Sequence, residues 1–216
     1  MPRTAEELLV GIVERLAPDP TANPLVPRIA KGTADRAVLA TLALEQGLVI
    51  PADRRAFLHL AQRAGDRPRT AAFFTTLAEG EDLAAGHLTA FARACGVTEA
   101  RTAAYEPLPG CQTYPAHVAW LALNADPTDA LLALTANFSA WGGYCATIAE
   151  ALRTHYGFKD EACAFFDFFA EPSPDLDGMA RTAVEAAIDS VDEKRATTYG
   201  RLLQHYESQF WKSLAA

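Results

Sequence analysis

The chain has 216 residues, half of them hydrophobic and 21% charged, with a net charge of −8. This composition excludes a disordered chain, and an acidic balance without a basic cluster excludes nucleic acid or an anionic membrane as the main partner. The length suits one domain, 1–216, with a sizeable core.

No apolar run approaches the roughly 18 residues of a membrane span. Glu6, Glu7 and Glu14 stand where a signal peptide would be uncharged, so a cytoplasmic protein is expected. Cys95, Cys111, Cys145 and Cys163 lack metal-like spacing and are expected as reduced thiols.

Apolar residues recur at spacings of three and four, and little alternates at period two, so the chain reads as all-α. Thr4 and Glu7 form a T-x-x-E capping box before a helix over 5–17, which PDPTANP ends. A short helix over 24–31 closes at Gly32. Asp35 caps the next, which carries Leu39, Leu42 and Val49, is expected to kink at Pro51 and continues through Phe57 and Leu60 toward Gly65. A long helix over 69–95 ends at Gly96. The stretch TEARTAAYEPLPGCQTYP reads as a sustained loop, followed by a short helix through His117 and Leu121 that ends near Asn124.

Asp126-Pro127 opens a helix to about His155, with Gly157 beyond its end. Lys159 to Ala170 is helical and aromatic-rich. Ser173-Pro174 caps a helix to about Val191, and the last helix spans 195–214. Eight or nine helices with such connections make a single helical bundle, whose ligand sites lie between helices.

Any chemistry must then come from polar residues on apolar faces. On the last helix Tyr199, Leu203, Tyr206, Phe210 and Leu214 share one side, and Glu207 falls between Leu214 and Trp211 inside that stripe. A carboxylate facing a core needs a partner, a hydrogen bond or a proton. Gln46 lies inside the Val38-Leu42-Val49-Ile50 stripe with Glu45 at its margin. Glu81 lies inside the Phe74-Leu77-Leu88 stripe with His87 at its margin, and these two read first as a core pair or surface residues. Asn137, Ser139 and Trp141 precede Gly142-Gly143, which weakens the helix interior and lets something approach closely.

The ending YESQFW resembles the Y-E-x-x-F-W ending of the TenA/thiaminase II family, whose members share the haem-oxygenase-like helical fold. NPLVPRIAKGT is similar to that family's opening F-V-x-x-x-x-x-G-T, and the helix spacing agrees between them. The resemblance implies a homo-oligomer, dimer or tetramer, that acts on thiamin or its aminopyrimidine breakdown products without a bound cofactor or metal. In the family a cysteine attacks the pyrimidine ring, an aspartate holds the ring's amine, a glutamate shuttles protons and tyrosines line the pocket. Carried over, the glutamate is Glu207, with Tyr206 beside it, and Tyr114 is a pocket tyrosine.

Three positions depart from the pattern. The family's Q-D reads Gln46-Gly47, with Glu45 adjacent; the nucleophile falls at Asn137 or Ser139, depending on how Trp141 is matched; and a second pocket tyrosine falls at Phe169. Cys145, four residues after Trp141, lies on the same side of its helix and is the candidate for a displaced thiol. The di-iron pattern E-x6-H of the same fold is not met, since Leu88 stands seven residues after Glu81 and Gly80 seven before His87. The implied function is a TenA-like protein that binds a small heteroaromatic between its helices. The alternatives are an aminopyrimidine hydrolase with a rearranged nucleophile and a non-enzymatic regulator.

Overall fold

The computed structural model describes residues 4–16 and 23–216, and among them every side chain except that of Ser139. Ten α-helices and one 3-10 turn run through the described residues: α1 Ala5–Leu16, α2 Val26–Ala30, α3 Arg36–Arg63, α4 Pro68–Ala94, α5 Glu99–Ala103, α6 Pro109–Asn124, α7 Pro127–Tyr156, α8 Asp160–Ala170, α9 Pro174–Ala186, the turn Ile188–Ser190, and α10 Glu193–Ala215. The all-α, single-domain reading holds. None of these helices is long and apolar enough to cross a membrane.

The helix starts follow from local hydrogen bonding. Thr4 and Glu7 satisfy each other's backbone N–H at 2.8 and 3.2 Å. The Asp35 side chain accepts from Ala37 N and that of Asp126 from Thr128 N. Asn23 accepts from both Leu25 N and Val26 N and so sets the entry to α2. Gly157 ends α7 at φ +69, a left-handed turn that an L side chain resists.

Three local expectations need correction. The stretch expected as one loop contains α5, capped by Thr98, and α6 already begins at Pro109. Ser173 makes no capping hydrogen bond, and α9 stops at Ala186 before the 3-10 turn. The last helix starts earlier, at Glu193, because Asp192 accepts from Arg195 N. α3 carries on through Pro51 to Arg63, as expected of the helix through Phe57 and Leu60. Most of PDPTANP, 17–22, lies outside the described residues.

α3 and α4 form an antiparallel pair joined by a short connection. Across them pack α6 on α3 and α10, α10 on α7, and α8 on α4 and α7, while α1 and α9 cover the end of the bundle nearest the α3–α4 turn. The apolar interior divides into two clusters. One gathers Leu39, Leu42, Val49, Ile50, Ala84, Leu88, Cys111, Cys145, Phe165, Phe166, Phe210 and Trp211. The other gathers Leu8, Ile12, Ala56, Phe57, Phe74, Ala78, Val118, Leu131, Ala136 and Leu203.

Candidate functional site

A polar layer runs between the two apolar clusters. On α3 the first cluster ends at Ile50 and the second begins at Ala56, and Asp53 stands between. On α4 Glu81 stands between Ala78 and Ala84, and on α10 Glu207 stands between Leu203 and Phe210. On α7 Asn137 follows Ala136 of one cluster and precedes Trp141 and Cys145 of the other. Tyr114, on α6, packs against both. Five helices therefore each place a hydrogen-bonding side chain at the same level of the core, where only a ligand, water or a mutual bond can satisfy it.

Glu207 is 9% exposed. Its Oε2 accepts from Asn137 Nδ2 at 2.6 Å and its Oε1 from Trp211 Nε1 at 3.1 Å, the latter one turn along α10. Burial pushes its pKa above the usual carboxylate range, and the two donors hold it back in part. The expectation that a carboxylate inside this stripe needs partners is met by these two bonds.

Asn137 is buried, and its Oδ1 has no partner among the described residues. An amide turned half a revolution offers that oxygen to Glu207 in place of its NH2, so Asn137 can serve the ionised acid as donor or the protonated acid as acceptor.

An aromatic wall closes one side. The Trp211 and Trp141 rings lie 5.9 Å apart, Trp141 meets Phe169 edge-on at 5.6 Å, and Tyr144 meets Trp211 at 5.7 Å. The close approach expected at Gly142 is made by α8: a Cβ there would lie 3.1 Å from the Phe169 carbonyl oxygen. Cys145 is fully buried, and its thiol is pushed well above its ordinary value by burial and then by the charge of Glu207.

The remaining candidates scatter. The oxygens of the fully buried Glu45 receive Tyr105 Oη at 2.5 Å, Leu108 N at 2.7 Å and Gln112 Nε2 at 2.7 Å, which ties the segment before α6 onto α3. Gln46 is buried beside it on α3. The Tyr206 ring faces His117 of α6 at 5.1 Å, in the α6–α10 contact. Ser139 lies on α7, and its side chain is outside the described set.

Tyr114 is raised well above an ordinary phenol by burial and then by the charges of Asp53, Glu207 and Glu81. This links all three carboxyls to one ring. Sequence reading missed Asp53. Its spacing from Gln46, Val49, Ile50, Phe57 and Leu60 puts it on the apolar stripe of α3, and that spacing is the signal that could have found it.

Among the described residues no three His, Cys, Asp or Glu side chains come together as a metal ion requires. Two surface clefts, of about 150 Å³ beside Ala30 and His155 and about 330 Å³ between α1 and α9, lie apart from the polar layer. Convergent polar groups and shifted acids are found in the layer and not in the lining of the two clefts.

Residues 21–215 match the model of the TENA/THI-4/PQQC family. The chain belongs to that family. Of solved structures, a TenA homologue from P. horikoshii OT3 is similar at 15% identity and a TM-score of 0.72, covering 99% of both chains. A domain of unknown function with a heme oxygenase-like fold from Shewanella denitrificans OS217 is similar at 15% identity and a TM-score of 0.68, covering 97% of this chain and 88% of that one. At such identity these two likenesses establish the fold, which is heme oxygenase-like. No curated protein is significantly similar in sequence.

Proposed function

We propose that this TENA/THI-4/PQQC family member binds a small, planar, nitrogen-containing heteroaromatic of the aminopyrimidine or thiamin-related class in the polar layer, between the aromatic wall and Tyr114. The observation that carries this reading is Glu207 held between Asn137 and Trp211. A buried carboxyl with a raised pKa is the better placed to exchange a proton with a ring nitrogen, and Asn137 follows either protonation state by turning its amide. Trp141 and Phe169 supply the apolar faces on which a flat ring stacks. Glu45 serves as an anchor for the segment before α6, its oxygens being taken by three donors.

Hydrolysis through Cys145 is the second reading, favoured by the nearness of Glu207, close enough for its charge to act on the thiol. It ranks below binding because a thiol this deeply buried holds its proton at neutral pH.

Titration calorimetry with 4-amino-2-methylpyrimidine tests the proposal. Saturable binding of one molecule per chain, weakened at least about tenfold in Glu207→Gln, supports it. Equal affinity in the two proteins overturns it.

A further inference from the structure

Asp53 and Glu81 have no part in the reading above, and neither stands at a position to which the family resemblance gives a role. Their proximity is fixed by the register of α3 and α4. The neighbouring pair, Arg54 and Asp82, is joined at the surface by a 2.7 Å ion pair, and the half-buried Glu81 lies near enough to Asp53 for the charge of Asp53 to act on it. Asp53 is 4% exposed, and its Oδ1 has no partner among the described residues. Asn137, on the opposite side of the polar layer and 6% exposed, also holds an unsatisfied oxygen.

Two buried acceptors at one level of the core are thus left without donors, at a cost that a native fold offsets only when something supplies N–H or O–H groups. The charged and titratable groups around Asp53 are Glu81 and Asp82 from α4, Tyr114 from α6 and Glu207 from α10, with Arg54 on its own helix turned outward to Asp82. Arg54 is engaged at the surface by Asp82. Burial raises both acids, and the charge of Asp53 raises Glu81 further, so the pair retains a proton in the absence of a ligand.

We propose that Asp53 and Glu81 form a cation-recognition subsite of the polar layer, one that takes the protonated amine or amidinium-like edge of a ligand whose ring lies against Glu207 and Asn137. The proposal rests on the binding reading above for where the ring lies, and on the two orphaned oxygens for what the ligand must carry. A cation entering the subsite replaces the proton that the pair holds. The O–H bond of the protonated carboxyl breaks, the proton leaves to solvent, and two ionised carboxylates face the ligand's N–H groups. A ligand that arrives neutral with a basic ring nitrogen takes up that proton itself, and none leaves.

The test uses the full chain, its Asp53→Asn, Glu81→Gln and Glu207→Gln variants, and three probes: 4-amino-2-methylpyrimidine, 2-methylpyrimidine, which lacks the amine, and benzamidine, which is cationic at neutral pH. Calorimetry at neutral pH in buffers of different ionisation enthalpy reads affinity and proton release together. The expected result is that wild type prefers the aminopyrimidine over 2-methylpyrimidine by about tenfold or more, because a site built for N–H donors rejects a ligand without them. Asp53→Asn and Glu81→Gln each remove most of that preference, and benzamidine releases about one proton per molecule bound to wild type and none in either variant. Should one variant fail to fold, the other carries the test.

A preference that survives in both variants, or benzamidine binding without proton release, overturns the subsite. The parent reading fails differently. If Glu207→Gln leaves pyrimidine affinity unchanged while benzamidine still releases its proton in an Asp53-dependent way, the ring is held elsewhere and the subsite stands.

Discussion

Asn137 on α7 donates its amide NH2 to Glu207 on α10 in a 2.6 Å hydrogen bond across the middle of the bundle, and the amide oxygen of Asn137 has no partner among the described residues. Replacing the acid by its amide therefore costs little. In Glu207→Gln, Asn137 turns over, its Oδ1 accepts from the new NH2, and Trp211 still donates to the remaining oxygen. Stability at neutral pH is expected to stay within about 1 kcal/mol of wild type. Glu207→Ala has no such compensation. It orphans both donors and should cost about 2–4 kcal/mol, measurable by urea denaturation.

Glu45 gives the opposite pattern. Its carboxylate receives Tyr105, Leu108 N and Gln112, so Glu45→Ala is expected to lower stability by about 2–5 kcal/mol and to raise hydrogen exchange across 105–112. Unchanged exchange in that segment would show that the anchor is dispensable.

The pH dependence of stability carries the signature of Asp53. Its unfolded form titrates in the ordinary carboxylate range, and burial pushes the folded form up to about 8. Between those values the folded chain keeps a proton that the unfolded chain has released, so this group's contribution is fully present at acid pH and is lost as pH rises through that window. Glu81 acts in the same direction. Asp53→Asn removes the share of this dependence that Asp53 carries, and the melting temperature of the variant minus that of wild type should grow from about pH 5 to about pH 8. A difference that shrinks over that range contradicts the buried, proton-holding acid.

Thiol reactivity separates binding from cysteine-based hydrolysis. Cys111, Cys145 and Cys163 are buried, and Cys95 is partly buried with its thiol pushed up to about 12. Iodoacetamide at about pH 8 should label Cys95 slowly and the other three only on unfolding, as read by peptide mass spectrometry. Rapid labelling of Cys145 in the native protein would reveal an activated thiolate and restore the hydrolase reading.

Much of this architecture was legible in the residues because it is local. The T-x-x-E box, Asp35, Asp126-Pro127 and Gly157 mark helix ends by chemistry confined to one turn, and each acts as expected. Ser173 and the stretch before α6 misled because their alternatives are close in energy: a serine can leave its cap unmade, and a proline-rich run can start a helix at Pro109 as readily as stay extended. The site was half legible. Glu207 announced itself by standing in an apolar stripe, and so did Glu81. What no single helix reveals is which stripes meet at one level. The union of Asp53, Glu81, Tyr114, Asn137 and Glu207 is a property of five helices packed together, and the satisfaction of Glu45 by Tyr105, Leu108 and Gln112 is likewise visible only once α3 and α6 are in contact.

The most direct measurement is a crystal structure of the protein soaked with 4-amino-2-methylpyrimidine. The expected map shows a flat ring between Trp141 and Tyr114, with a ring nitrogen within hydrogen-bond distance of Glu207 or Asn137 and the amine toward Asp53. Density confined to the surface clefts, with the polar layer closed on itself, would contradict the assignment of the site.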